Sequence, residues 1–130
     1  MLFLSVLIVI GCPALAQAPP TKTEIANYTG SNLAAHNGDP EGILRIFKSG
    51  SDIDIRDGAG RTPAHIAAYA SNNEALRALA EAGADMNALE HQSYDMVTIA
   101  AVADDPELMS LAIELGNRAD LVTSPMKVQH

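Results

Sequence analysis

The sequence predicts an all-α solenoid of about three stacked helix-turn-helix units, and three observations point there. Residues recur at intervals of 33: Gly50, Gly83 and Gly116 share a register, as do Ala34, Ala67 and Ala100, then Ala35, Ala68 and Ala101, then Asp54, Asn87 and Asp120. Apolar stripes recur in the same register: Ile43, Ile46 and Phe47 are followed by Leu76, Leu79 and Ala80, then by Met109, Ala112 and Ile113. Their i, i+3, i+4 spacing is that of a helix with one buried side. Helix-start and helix-stop residues also fall at matching places in each unit. A fixed period in this range signals stacked supersecondary units rather than one central core.

The first sixteen residues stand apart. MLFLSVLIVI is an uninterrupted apolar run, Gly11 and Pro13 break it, and Ala14-Leu15-Ala16 presents small residues at a cleavage position. The segment reads as an export signal cut after Ala16. Ala18 is disfavoured as the cut site because Pro19 would follow the scissile bond. The run falls short of the roughly 20 residues that span a bilayer. No Lys or Arg precedes it, and an upstream start would supply one. Val9-Ile10-Gly11-Cys12 offers an alternative, a lipobox in which Cys12 is lipidated and anchors the protein. The expected location is therefore periplasmic or secreted, with membrane attachment only if Cys12 carries lipid. Residues 17–23 (QAPPTKT) read as a flexible leader.

Within the repeats, each helix has a local reason to begin and end. Pro63 at a first turn gives up only an N–H that would be unpaired anyway, and Thr62 before it can cap that turn. Ala67 and Ala68 are small where two helices must approach closely. Gly38, Ser71 and Asp104 supply a turn-tolerant residue after the first helix of each unit. Pro40-Glu41 and Pro106-Glu107 open second helices, with the acidic residue at the positive end of the dipole. Gly50, Gly83 and Gly116 then end those helices in a left-handed conformation.

Thr62-Pro63-Ala64-His65, then Ala67-Ala68, then Gly83-Ala84-Asp85-Met86-Asn87 one helical hairpin later, resemble the ankyrin repeat. Ala64 departs from the family's corner, where Leu is usual. Residues 57–89 keep the pattern best. The flanking units keep the glycines and the Ala pair but lose the corner, reading Thr29-Gly30-Ser31-Asn32 and Asp95-Met96-Val97-Thr98. The resemblance implies an ankyrin-repeat domain over residues 24–123, with repeats of about 24–56, 57–89 and 90–122 and a tail at 124–130. With the export signal, it implies an exported bacterial type. Because the chain stops where another finger would begin, a shortened member of a longer array is also in view.

About 110 residues remain after the signal, which is one domain. The signal segment carries no charge, so the formal net charge of −8 belongs to the mature protein. Phosphate backbones are bound by clustered Lys and Arg, whereas the eight basic residues here are scattered. Nucleic acid is therefore not an expected partner; a protein is. Cys12 is the single cysteine, so no intramolecular disulfide can form.

Catalytic constellations are missing from the pattern. His36, His65, His91 and His130 have no metal-ligand spacing. The resemblance gives His65 a structural job, bonding around the Thr-Pro corner and to the adjacent loop. Asp104-Asp105 reads as a helix cap beside Pro106. Gly58-Ala59-Gly60 is the tip of a β-turn finger, not a phosphate loop. No enzyme, cofactor, metal or small-molecule substrate is expected.

Binding is where the resemblance becomes specific. The family takes partners on a concave face made by the fingers and the exposed ends of the first helices. The slot before the corner holds Tyr28, Arg61 and Tyr94, and the slot after the Ala pair holds His36, Tyr69 and Val102. Tyr and Arg are enriched among interface hot spots. The expected partner-binding residues are thus Tyr28, His36, Arg61, Tyr69 and Tyr94, extended by Arg56, His91 and Gln92 near the finger tips. The expectation is a non-catalytic protein-binding module, the alternative being a truncated or vestigial array with little binding of its own. Residues 106–115 form a helix apolar around most of its circumference, which predicts self-association through the C-terminal repeat.

Overall fold

The computed structural model describes residues 19–116; the expected signal and the tail lie outside the described residues. Seven helices run through the described residues: α1 (Lys22–Ala26), α2 (Gly30–Asn37), α3 (Pro40–Lys48), α4 (Pro63–Tyr69), α5 (Asn73–Glu81), α6 (Met96–Ala103) and α7 (Pro106–Glu114). α2/α3, α4/α5 and α6/α7 are the three repeats. No helix among the described residues is long and apolar enough to cross a membrane.

Local chemistry accounts for the helix starts. Pro40, Pro63 and Pro106 stand in first turns. Ahead of them Asp39 accepts from Gly42 N, Thr62 from His65 N, and Asp105 from Leu108 N. Asp95 caps α6 by accepting from Thr98 N at 2.8 Å. Thr29, which lacks the corner sequence, makes no such bond.

The turns repeat as faithfully. Gly38, Ser71 and Asp104 all have left-handed backbones, with φ of 68°, 56° and 57°. In each repeat the next N–H then bonds back to the preceding helix: Asp39 to Ala34 O, Asn72 to Ala67 O and Asp105 to Ala100 O, all at 2.9 Å. Closing the turn this way satisfies a helix-end carbonyl, which offsets the strain that a non-glycine residue suffers there.

The first helices α2, α4 and α6 pack side by side, and α3 packs broadly on α5 behind them. Ala35, Ala67 and Ala100 are wholly buried where helices close on one another. Ile43, Leu76, Leu79 and Leu108 fill the space between the helix layers. One expectation shifts at the N-terminal edge. Thr21 and Thr23, read as leader, belong to the start of α1, which Thr21 and Glu24 close with a reciprocal capping box.

Candidate protein-binding face

Each finger between repeats is built on an acidic residue, and the two are 33 positions apart: Asp57 and Glu90. Asp57 Oδ1 accepts from the N–H groups of Ala59 and Arg61, both at 2.9 Å, which folds the turn. Its Oδ2 accepts from the Tyr28 hydroxyl at 2.7 Å and from the Arg61 guanidinium at 2.9 Å. In the following finger Glu90 takes the matching role, accepting from the Tyr69 hydroxyl at 2.7 Å. Arg61 joins the two sets: its guanidinium sits 5.8 Å from the Tyr69 ring centroid and 3.4 Å from Glu24.

These contacts move the titrations in directions set by their surroundings. Burial pushes the Tyr28 hydroxyl up, and the Asp57 carboxylate adds to it. Tyr69 is raised in the same way by burial and then by Glu90. Burial alone would raise Asp57, but the hydrogen bonds from Tyr28 and Arg61 outweigh it and hold the carboxyl below its ordinary range. All three groups keep their neutral-pH charge states.

His65 performs the structural work expected of it. Its Nδ1 accepts from Thr62 N at 3.0 Å. A backbone N–H can only donate, so the ring proton sits on Nε2, which donates to Ala88 O and Tyr94 O, both at 3.0 Å. Burial depresses its pKa. The fingers are also tied to each other. Arg56 donates to Gly60 O at 2.6 Å and Leu89 O at 2.7 Å, and His91 N donates to Ala59 O at 3.1 Å. A side chain on Gly60 would collide with the His91 ring.

The eight residues expected to meet a partner, half-buried Gln92 among them, therefore differ in what they offer. Tyr28 and Arg61 are 7% and 3% exposed and present little surface. His36, Tyr69 and Tyr94 are half-buried, while Arg56 and His91 are exposed. Val102, at the register of Tyr69, is open to solvent, as are Ile55 and Leu89 on the fingers. Sequence reasoning missed the carboxylates that hold the aromatics. The shared register of Asp57 and Glu90 was the signal that could have found them.

A scaffold of stacked helical hairpins, with fingers locked by side chain–backbone bonds, defines a helical-repeat protein. The sequence matches the family described as ankyrin repeats (3 copies) over residues 31–123, and the chain belongs to that family. No match is found among curated proteins. Ankyrin repeats generally serve as protein–protein interaction modules and are typically non-catalytic.

Proposed function

We propose that this protein is an exported, non-catalytic module that binds another protein through its fingers and first-helix ends. The observation that supports this most is the exposed apolar side chains of repeats 2 and 3. Leu89, on the second finger, and Val102, at the register of half-buried Tyr69, are 51% and 52% exposed. Large apolar and aromatic side chains beside a rigid backbone suit interface anchors. Tyr94→Ala and Val102→Asp should each weaken a genuine partner by roughly 1 kcal/mol or more. Lys48→Ala and Glu81→Ala, on the second helices, should leave binding unchanged. Partner capture from a periplasmic extract, compared across these four variants, tests the reading; equal losses in both pairs would remove it.

Export carries its own test. Intact-mass measurement of the natural protein should show Gln17 first, whereas a mass matching lipidated Cys12 would make the protein membrane-anchored. The second reading, self-association through the C-terminal repeat, draws on Ile113. It lies on α7 at 50% exposed, close to half-buried Met109 and Leu115. Sedimentation that depends on concentration, abolished by Ile113→Glu, would favour it.

A further inference from the structure

Arg61 and Tyr94 hold the same register, yet Arg61 is 3% exposed and Tyr94 is half open. Asp57 and Tyr69 enclose Arg61, and the chain's own N-terminal segment adds to that enclosure. Glu24 on α1 reaches the Arg61 guanidinium at 3.4 Å, and Ile25 packs against the hydrophobic core. Pro19, Pro20 and Ile25 face His36, Ile66 and Tyr69 across a cavity of about 120 Å³. Residues 19–26 thus lie over the surface of repeats 1 and 2 where partner contacts were expected.

The hold of this segment is light. α1 makes only sparse contact with any other helix, and its five residues are organised chiefly by their own capping box. Glu24 divides one oxygen, Oε1, between Thr21 N at 2.8 Å and Arg61 at 3.4 Å. The cavity beneath the prolines is large enough for about one aliphatic side chain or a few waters, so the segment does not fill the space it covers.

We propose that the first-helix face of repeats 1 and 2 is a peptide-docking groove that this chain occupies with its own residues 19–26. The occupant it accepts in trans is a protein segment of the same chemistry: adjacent prolines, then a short helical turn with a carboxylate for Arg61 followed by a branched aliphatic residue. Arg61 supplies the charge complementarity, and a bulkier aliphatic group would fill the cavity that Ile25 leaves. This proposal rests on the protein-binding reading above and names the segment that the face takes.

The test uses the full chain and a synthetic peptide, acetyl-PPTKTEIAN-amide. Ile25→Asp should release the segment in cis and so raise affinity for the added peptide at least tenfold over the unaltered chain. The same peptide carrying Glu24→Gln should bind the Ile25→Asp chain several-fold more weakly. Glu24→Ala, at a half-exposed position outside the hydrophobic core, is the second variant. It should speed amide exchange at Ile25, Asn27 and Tyr28 while leaving α5 protected. Exchange of α1 only with global unfolding, or no gain of peptide binding by folded Ile25→Asp, would make α1 a fixed cap and overturn the proposal. Peptide binding without any partner sensitive to Tyr94→Ala would keep the groove and sink the wider reading; the reverse result would do the opposite.

Discussion

The joint between repeats 1 and 2 and the joint between repeats 2 and 3 use the same register positions but are held in opposite places. At the helix turns the first joint is the stronger. Asn72 donates from its amide to Ala35 O at 2.9 Å and to His36 O at 2.7 Å, so repeat 2 is stitched to the end of α2. Asp105, one register on, has no proton to donate. It caps its own helix instead and receives only a long bond of 3.4 Å from Ser71. α5 and α7 correspondingly touch little, and a groove of about 370 Å³ lined by Glu74, Arg77, Glu107 and Glu114 separates them. At the fingers the order reverses. His65 ties repeat 2 to Ala88 O and Tyr94 O, while Asn32, at His65's register in repeat 1, leaves its Oδ1 buried and without a partner. The lesson is that a repeat preserves positions, and the donor or acceptor chosen at each position decides where a joint is tight.

The largest expected effect comes from removing the second joint's fastening. His65→Ala should cost about 2–3 kcal/mol in urea unfolding, because Thr62 N, Ala88 O and Tyr94 O all lose a buried partner. Partner affinity of the folded fraction should change little. A chain of unchanged stability would show that the fingers close without the ring.

Acid should loosen the same point by a smaller amount. The folded pKa of His65 lies below the ordinary histidine value of 6.5, so the unfolded chain takes the proton first. Its contribution is complete above about pH 6.5 and is lost as pH falls through the folded value. Asp57, also depressed, adds a second loss at lower pH. Tyr28 and Tyr69 are raised, so their contributions disappear as pH rises beyond about 10. Stability measured against pH should therefore fall at both ends, and the loss that begins below about pH 6.5 should vanish in His65→Ala.

Asn72→Asp tests the first joint. It removes two donors facing carbonyl oxygens but allows the new carboxylate to cap α5, as Asp39 and Asp105 cap theirs. The net cost should be about 1 kcal/mol, with faster amide exchange where α2 meets α4. An unaffected joint would mean that packing of α2 on α4 and of α3 on α5 holds it without these bonds. Arg77→Ala should matter least. Its partner Glu114 is 60% exposed and Arg77 itself 49%, so a change below about 0.5 kcal/mol is expected; a larger one would show that this pair holds α7 in place.

How much of this is legible in the sequence depends on the range of the forces involved. Thr62, Pro63, Gly50, Gly83 and the turn at Gly38, Ser71 and Asp104 act within a few residues, so the repeats are legible. Tyr28 and Arg61 fall at the correct register, but their exposure is not legible. It depends on Asp57, 29 residues beyond Tyr28, and on Glu24, which reaches Arg61 from the first residue of the expected repeat domain. Tyr28→Ala is accordingly expected to register first as a loss of stability, since Asp57 would lose one of its donors and a buried ring would be removed.

Period, helix polarity, turn chemistry and the small-residue seam were determined by the sequence itself, because each follows from backbone preferences and one-sided burial repeated every 33 residues. Only the tertiary structure decided which of the expected recognition residues face outward. Exposure is set by which distant donor meets which acceptor and by which segment lies on top. Nothing in Arg61 distinguishes a surface cation from a buried one until Glu24, Asp57 and Tyr69 have closed around it.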